Sequence, residues 1–506
     1  MDKRFSFIAF SLMLSAFAAQ ADVGDDRTLV VGGREWTVGN GSVVSGTCVT
    51  VKADGIRKRS ASVTTKVDLT PYFEDGLEWR VRAKGRGVVK SAQDWLGVKA
   101  MLSYEDGNGK RQYPGPITKS GDFDWYMIRY RTAFKNGVKG LATFTLGLQE
   151  TSGEVCFDLA TFRLGPAKVS FPTNDPAARC EYSPEMKARP RLRGVMSPSR
   201  PMTEDDFRKL QSWGVTLLRY QMNRFWSAVD ANRDLDDYDR WLNGKLDHLE
   251  TMVLPLAEKY GIRVLIDLHM PPGGKAWDGE MNLFHEREYA RHFVACWLRI
   301  ARRFKGHPAI CGYDLINEPV QNYNAVGSLD YWTLQAKTAE RIRAIDPTTP
   351  IYLESNHADS PRTFAELPVL GLRDVVYQVH LYAPMEFTHQ GVSRGRSFVP
   401  TKWPDETKGW NRDFLRKRLE PVRAFEKRHG AKIYVGEFSA IAWAEGAERY
   451  LEDCIAVFEE YGWDWSYHAY GEFEGWSVEH EADKPYVFRP AASTPRKEVL
   501  MKGLAK

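Results

Sequence analysis

Two glutamates stand at the ends of short apolar runs in the second half of this sequence. Glu318 ends the run at residues 313–318, and Glu437 ends the run at residues 434–437. Other apolar runs end in groups that carry charge or form hydrogen bonds, namely Arg219, His269, Asn317, His380 and Tyr382. Two carboxyl groups held close together can divide acid–base work, because one moves a proton while the other stays ionised. The residue types therefore predict a site built on a carboxylate pair.

Each of these residues has a structural explanation when it is taken alone. A histidine at the end of a strand is most often satisfied by packing, and Asn-Glu-Pro at residues 317–319 is compatible with a simple turn. Packing alone does not explain seven such residues on five runs, all at the same end. We therefore interpret the seven residues as parts of one site.

Short apolar strands alternate with longer helical segments from Arg191 to the end of the chain. Strands are predicted at residues 192–197, 215–222, 263–269, 310–318, 351–356, 375–382, 433–439 and 463–470. Helices are predicted at residues 204–213, 242–260, 288–304, 331–345, 411–428 and 446–461. Eight such units favour a parallel (β/α)8 TIM barrel over an open doubly wound sheet, whose Gly-rich phosphate turn is missing. The C-terminal ends of barrel strands share one face, so the seven residues should converge there.

Two carboxylates across a barrel mouth, with hydrogen-bond donors around them, suit the hydrolysis of a glycosidic bond. The leaving oxygen needs a proton, and the developing oxocarbenium ion needs a nucleophile or a water molecule on its other face. We expect Arg219 to keep one carboxylate ionised, while the other stays protonated near pH 7. The cysteines include no CxxC pair, so the sequence predicts neither a metal site nor a cofactor. If one disulfide forms, Cys48 and Cys156 are the expected partners.

Residues 191–506 resemble glycoside hydrolase family 5, the retaining (β/α)8 enzymes that include many cellulases. The resemblance rests on Ile-Asn-Glu-Pro at residues 316–319, His-Leu-Tyr at 380–382 and Gly-Glu-Phe at 436–438, in that order. It implies that Glu318 is the general acid/base and that Glu437 is the nucleophile of a double displacement. The resemblance also implies supporting roles for Arg219 and Tyr382 at the nucleophile, His380 at the acid, Asn317 at the sugar 2-hydroxyl and His269 in the −1 subsite.

The last predicted strand departs from the pattern of that family. The family usually places a tryptophan under the −1 sugar at this strand end, where the present sequence has His468. Trp465 or Trp476 is the candidate for the aromatic surface, and the sequence does not decide between them. The loops of this face hold further candidates for stacking or packing, namely Trp226, Trp277, Trp403, Trp410 and Trp443.

The region at residues 22–165 has a different pattern, with short alternating runs and a strong hairpin signal at residues 106–109. This pattern predicts an all-β sandwich, and it resembles the jelly-roll carbohydrate-binding modules of secreted polysaccharide hydrolases. Its aromatic residues would either stack on sugar or fill the core of a spacer module, the candidates being Trp79, Trp95, Trp125 and Tyr126. The Pro-punctuated residues 166–190 are interpreted as a linker before the catalytic barrel at 191–506.

Residues 1–21 are typical of a signal peptide, with a short basic start, an apolar stretch and Ala-Gln-Ala at a cleavage position. The mature protein is therefore expected to be secreted or periplasmic. The chain has 70 Lys and Arg against 66 Asp and Glu, with no long basic block, which argues against a nucleic-acid partner. No other segment reaches about 18 apolar residues, so no membrane partner is expected, and a monomer is predicted.

These observations predict an exported retaining glycosidase, of the endo-β-1,4-glucanase (cellulase) type, that acts on β-glucan or a related polysaccharide. A β-mannanase, a xyloglucanase and an exo-β-glucosidase remain alternatives, because loops rather than catalytic residues separate these activities. A non-catalytic glycan-binding protein on the same barrel is the alternative from another class. Release of reducing sugar would distinguish an enzyme from a binding protein.

Overall fold

The computed structural model describes residues 27–39, 42–55, 61–91, 93, 95–134, 136–167, 171–226, 228–229, 231–276, 279–325, 327–393 and 397–506. The predicted signal peptide lies outside these ranges. The chain divides into two compact units, with the boundary after Ala167. None of the described helices combines the length and the apolar character that crossing a bilayer requires.

The first unit is an antiparallel β-sandwich, as the sequence predicted. Its strands are β1 (Arg27–Val31), β2 (Arg34–Val38), β3 (Ser42–Ser45), β4 (Cys48–Asp54), β5 (Ala61–Val67), β6 (Leu77–Val88), β7 (Gly97–Asp106), β8 (Arg111–Gln112), β9 (Gly121–Thr132), β10 (Val138–Gln149) and β11 (Ser152–Pro166). One sheet has the order β1-β2-β5-β10-β7-β8 and the other β3-β4-β11-β6-β9. Alternate side chains of the longer strands enter one core, as Trp79, Val81 and Ala83 of β6 show.

Two details of the sandwich bear on the sequence analysis. The predicted hairpin joins β7 to β8, and the Asp106 carboxylate accepts the backbone N–H groups of Asn108 and Lys110 in the turn. Cys48 and Cys156 lie on the neighbouring strands β4 and β11, where their thiols are in hydrogen-bond contact and are not bonded to each other.

The second unit contains a closed barrel of eight parallel strands, as predicted. The strands are β12 (Arg193–Met196), β13 (Leu217–Gln221), β14 (Arg263–Asp267), β15 (Ile310–Asp314), β16 (Ile351–Glu354), β17 (Val375–Leu381), β18 (Lys432–Phe438) and β19 (Asp464–Tyr467). The hairpin of β20 (His480–Lys484) and β21 (Val487–Pro490) follows them. Since β19 pairs with β12, the sheet has no free edge, and its C-terminal strand ends form one face.

Helices accompany the barrel strands, and the longer ones surround the barrel and bury one apolar face each. Their bounds are Pro184–Ala188, Glu204–Ser212, Leu235–His248, Leu254–Tyr260, Arg287–Phe304, Tyr331–Arg343, Met385–Thr388, Arg412–His429, Ala447–Tyr461 and Pro495–Leu504. A π-helical segment, Leu249–Val253, joins the third helix to the fourth. Thr203 and Asp206 form a capping box at the second helix, and Gly261 ends the fourth in a left-handed conformation (φ 67°).

Residues 171–190, interpreted as a linker from the sequence, pack onto the barrel. The Tyr182 hydroxyl donates to the Val375 carbonyl at 3.0 Å and accepts the Lys432 N–H at 2.6 Å, which joins the first residues of β17 and β18. Met186, 4% exposed, inserts among apolar side chains inside the barrel. This segment therefore closes the barrel interior at the N-terminal ends of the strands. Its prolines leave little periodicity, so the pattern of the sequence did not indicate this packing.

The packing of this segment predicts where the chain can be shortened. A fragment of residues 168–506 should fold, because the unit boundary lies after Ala167. A fragment of residues 184–506 should lose about 2–4 kcal/mol of unfolding free energy, because it lacks the Tyr182 ring and its two hydrogen bonds. Urea unfolding followed by tryptophan fluorescence measures both. Equal stability of the two fragments would contradict the role given to Tyr182.

Candidate active site

Arg219 lies at the centre of the site, on β13, with no solvent-exposed surface. Its guanidinium nitrogens approach carboxylate oxygens of four other strands or strand ends, at 3.3 Å for Asp267, 2.8 Å for Asp314, 2.9 Å for Glu354 and 2.7 Å for Glu437. Nη2 also donates to the Asn317 side-chain oxygen at 2.9 Å. One cation thus holds groups from β14, β15, β16 and β18 in a single buried layer.

A single positive charge does not neutralise four buried carboxylates, and the pKa values divide accordingly. Burial and the neighbouring Asp267 raise the pKa of Asp314 to about 7, against the effect of Arg219. Burial, with Asp359 and Asp314, raises the pKa of Glu354 well above its ordinary value. Burial acts in the same direction on Glu437, but His380, His468 and Arg219 outweigh it and hold its pKa well below the ordinary value. Glu437 is therefore ionised near neutral pH.

Glu437 and Glu318 face each other at the mouth of the barrel. The Glu437 carboxylate accepts a hydrogen bond from Arg219 on Oε1 (2.7 Å) and from the Tyr382 hydroxyl on Oε2 (2.8 Å). His380 Nδ1 lies 3.1 Å from Glu318 Oε1 and 3.8 Å from Glu437 Oε2. One carboxylate oxygen of Glu318 lies within 4.8 Å of one of Glu437. The pair is close enough for both groups to act on a single bond.

The electrostatics of Glu318 differ from the expectation. A carboxyl group that stays protonated near pH 7 was predicted for the general acid, but the pKa of Glu318 is lowered. Burial and the charge of Glu437 act to raise this pKa. The hydrogen bond with His380, the charge of His380 and the charge of Lys275 act to lower it, and together they outweigh burial and Glu437. Glu318 still has fewer cations around it than Glu437 does.

His269 and Asn317 complete the predicted set on the side of β14 and β15. His269 Nδ1 lies 2.8 Å from Asp267 Oδ2, and its Nε2 lies 3.3 Å from the Asn317 amide nitrogen. Asp267 therefore orients the imidazole, which in turn contacts the amide. The structure brings all seven predicted residues together: Arg219, His269, Asn317, Glu318, His380, Tyr382 and Glu437.

Trp465 is wrong as a candidate for the aromatic surface. It is fully buried outside the barrel, where its ring packs against Phe438 and its Nε1 donates to Glu459 at 3.0 Å. Successive strand residues point to opposite sides, so the neighbouring Ser466 faces the interior and Trp465 faces the helices.

Trp476 and His468 occupy the region where the family's tryptophan was expected. The Trp476 ring, 8% exposed, lies 6.3 Å from the Tyr382 ring and 5.7 Å from that of His468. His468 Nε2 lies 3.4 Å from Glu472, and Glu472 accepts a hydrogen bond from Gln221 at 3.0 Å. The end of β19 therefore presents a hydrogen-bonding group beside an indole rather than an indole alone.

Sequence reasoning missed several polar groups of this face. Glu354 ends an apolar run in the same way as the predicted residues, so its signal was present at the end of the fifth predicted strand. Lys275, with its ammonium 3.0 Å from the centroid of the Trp226 ring, comes from an irregular loop that offers no such signal. The charges of Glu318 and Glu437 act on this lysine, but burial outweighs them and lowers its pKa to about 8.

The loop tryptophans divide between the site and the packing of the loops. Trp226 lies 4.8 Å from the His269 ring, beside the site. Trp403 and Trp410 are buried, and the half-buried Trp443 donates its Nε1 to the Gln390 carbonyl at 2.7 Å. Trp277 lies outside the described residues.

Comparison with known proteins gives matches to the second unit. Residues 184–474 match the family model of cellulase, glycosyl hydrolase family 5. Endoglucanase C of Acetivibrio thermocellus is 28% identical over 297 residues, which cover 53% of this chain and 84% of that protein. Cellodextrinase A of Ruminococcus flavefaciens is 26% identical over 294 residues, covering 56% of this chain and 80% of that protein.

Among solved structures, Thermotoga maritima Cel5A in complex with mannotriose matches 62% of this chain and 97% of its own, at 20% identity and a TM-score of 0.48. The family match rests on the sequence, and it spans every residue of the carboxylate pair and its supporting set. Because this match covers more than half of the 506 residues, the chain belongs to glycosyl hydrolase family 5, the cellulase family.

Proposed function

We propose that this glycosidase is a retaining endo-β-1,4-glucanase in which Glu437 is the nucleophile and Glu318 the general acid/base. One observation carries the proposal: carboxylate oxygens of Glu318 and Glu437 lie within 4.8 Å of each other. Whole carboxyl groups are about 5–5.5 Å apart in a retaining pair and about 6.5–9.5 Å apart in an inverting pair, which admits a water molecule, and the close approach of one oxygen from each group favours the shorter spacing. The spacing supports direct attack of a carboxylate on the anomeric carbon.

In the first step, a Glu437 oxygen attacks the anomeric carbon while the leaving oxygen takes a proton from Glu318. Arg219 and Tyr382 donate to different oxygens of Glu437, which keeps this carboxylate ionised and fixes its plane. His380 shares a hydrogen bond with Glu318 and holds the acid beside the leaving oxygen. The products of this step are a glycosyl ester on Glu437 and the released alcohol.

In the second step, water attacks the ester while Glu318 accepts its proton. Besides burial, the charge of Glu437 acts to raise the pKa of Glu318 in the free enzyme, and an ester has no such charge. The pKa of Glu318 should therefore fall when the ester forms, which changes this residue from an acid to a base. Two inversions at the anomeric carbon give a product with the configuration of the substrate.

The names of the relatives support a β-1,4-glucan as the substrate. The name Endoglucanase C supports internal cleavage of a glucan polymer by this chain. The name Cellodextrinase A supports short oligosaccharides as a second candidate substrate. His468 stands where the family usually places a tryptophan under the −1 sugar, and this difference should affect which sugar the −1 subsite accepts. A substrate panel of carboxymethylcellulose, glucomannan, xyloglucan, cellodextrins and aryl glycosides distinguishes these activities through the rate of reducing-sugar release.

The sandwich is proposed to bind glycan, and residues 1–21 to direct export of the chain. Trp95 and Tyr113 are 66% and 61% exposed and line one groove of about 520 Å³ with Met101 and Ile117. Exposed aromatic rings offer flat apolar faces to sugar rings. Trp79 and Tyr126, two of the predicted stacking residues, are instead buried in the core.

The roles of the two glutamates can be separated by chemical rescue. Glu437→Ala should abolish activity on every substrate, because no nucleophile remains. Glu318→Ala should keep the first step on aryl glycosides with good leaving groups, and added azide should then give a β-glycosyl azide. The products are identified by NMR.

The same NMR measurement tests the stereochemistry of the unaltered enzyme. The first product released from a β-glucan should have the β configuration. An α-configured first product, or an α-glycosyl azide from the Glu437→Ala variant alone, would contradict the proposed mechanism or reverse the roles.

The position of Lys275 predicts a change in the pH profile. Its positive charge is among the influences that lower the pKa of Glu318, so Lys275→Met should raise that pKa. Because the general acid works only when protonated, the alkaline limb of kcat/KM on a poor leaving group should move to higher pH. Lys275→Arg keeps the charge and is the control. An unmoved limb in Lys275→Met would refute the electrostatic role.

Glycan binding by the sandwich is tested by substituting one tryptophan in the groove and, as a control, one tryptophan away from it. Trp95→Ala should weaken retention on insoluble cellulose about 2- to 13-fold, because a stacked ring contributes about 0.5–1.5 kcal/mol. Trp125→Ala removes a half-buried ring from β9 of the other sheet and should leave retention unchanged. Hydrolysis of soluble substrate is the second control, and equal retention of both variants would exclude this groove.

A further inference from the structure

We propose that Glu354 is a positioning residue that holds Glu318 in the orientation required of the general acid/base. This inference rests on the proposed function, because it assigns a support to the residue that the mechanism uses as its acid. Glu354 ends β16, is fully buried, and has no role in either chemical step described above. Neither the family match nor the names of the relatives assign it one.

The two carboxylate oxygens of Glu354 have different partners. Oε2 accepts the backbone N–H of Glu318 at 2.6 Å. Oε1 accepts a hydrogen bond from Arg219 Nη2 at 2.9 Å and another from the Gln378 side-chain amide. Glu354 thus joins the main chain of the acid to the cation that binds the nucleophile.

The main chain of Glu318 needs such a support. β15 ends at Asp314, so Glu318 lies four residues beyond the last ladder position. Its φ of 47° places a residue with a side chain in the left-handed region, which costs about 1–2 kcal/mol. Pro319 follows and restricts the backbone conformation of Glu318 further. The hydrogen bond to Glu354 stabilises this conformation at the residue whose carboxylate must reach the leaving oxygen.

The loop after β16 supports the same segment from a second point. Gln321 N donates to the Asn356 side-chain oxygen at 2.9 Å, and the Asn356 amide donates back to the Gln321 carbonyl at 2.7 Å. Ala358 N donates to the Pro319 carbonyl at 3.2 Å. These bonds hold the chain after Glu318, whereas Glu354 alone among these contacts holds Glu318 itself.

If Glu354 acted only by stabilising Arg219, its substitution would have the same effect on activity as substitution of another carboxylate around Arg219. Asp314 offers the matched control, because it accepts from Arg219 Nε at 2.8 Å and is equally buried. Within the described residues, Glu318 is hydrogen-bonded to Glu354 through its main chain and to His380 through its carboxylate, whereas Asp314 contacts Arg219. Substitution of Asp314 by asparagine disturbs the charge balance of Arg219. Glu354→Gln leaves one acceptor oxygen where Glu354 uses two, and the charged donor Arg219 competes for it, so the Glu318 N–H loses its acceptor.

The test compares Glu354→Gln, Asp314→Asn and Glu318→Ala on a series of aryl glycosides of the sugar that the substrate panel identifies. The parameter is kcat/KM, which covers steps up to formation of the ester. A displaced acid matters more as the leaving group becomes poorer, because poor leaving groups need protonation. Glu354→Gln should lose about 10- to 100-fold on phenyl glycoside, a part of the whole contribution of a general acid, and less than about 3-fold on 2,4-dinitrophenyl glycoside. Asp314→Asn should lose the same factor on both.

The outcomes separate this inference from the proposed function. If Glu318→Ala shows no dependence on the leaving group, the role given to Glu318 is wrong. If Glu318→Ala shows the dependence and Glu354→Gln loses activity uniformly, or not at all, the positioning role of Glu354 is overturned. Thermal unfolding of each variant shows whether it is folded.

A measurement on the unaltered protein applies if Glu354→Gln does not fold. In protein labelled with 15N-glutamate, the Glu318 amide is assigned as the signal lost in Glu318→Gln. A hydrogen bond of 2.6 Å is short for a backbone N–H donor, and it should place the amide proton downfield of exposed glutamate amides. A resonance among the exposed amides would show that the bond from Glu318 to Glu354 is absent, and would overturn the inference.

Discussion

The guanidinium group of Arg219 is the interaction on which the site depends. It is completely buried, and its nitrogens reach side chains that come from β14, β15, β16 and β18 as well as the loop after β15. Removal of one partner of a buried ion pair is costly because the remaining charge is left without compensation. Here the loss of one cation would leave several carboxylates in contact with each other. The planar, forked donor set of arginine serves this geometry, and the single ammonium of a lysine would not.

The fold was largely predictable because its two units have different periodicities. All eight barrel strands were found at their predicted places, since each is an apolar run bounded by helical segments. Strand ends were less accurate: the fourth was predicted to reach Glu318 but ends at Asp314. The apolar pattern of the sequence does not show where strand pairing ends when the following turn has residues of the same apolar type. The C-terminal helix Pro495–Leu504 was missed, as was the packing of residues 171–190.

The site was predictable where strand position alone decides what a side chain faces. Seven predicted residues converge, since parallel strands bring their C-terminal ends together in any closed barrel. Trp465, one of the two candidates for the aromatic surface, is wrong because strand residues alternate in direction: it faces the helices, while Ser466 and His468 face the interior. Lys275 could not be predicted as a site residue, because it lies in an irregular loop, where no periodicity indicates which way a side chain faces. The lowered pKa of Glu318 was equally inaccessible, because it depends on that lysine and on the distance to His380.

The buried carboxyl layer also determines how the folded state responds to acid and alkali. Burial, chiefly, raises the folded-state pKa of Asp314 to about 7 and that of Asp359 to about 8. Such groups bind more protons in the folded than in the unfolded chain, so their stabilising contribution is complete below about pH 4 and is lost as the pH rises through 7 and 8. Glu459 acts in the opposite sense: burial is outweighed by Arg193 and Trp465, and its pKa of about 2 gives stability that is lost in strong acid. The free energy of unfolding should therefore be greatest in mildly acidic solution, and alkali should loosen the barrel from its interior.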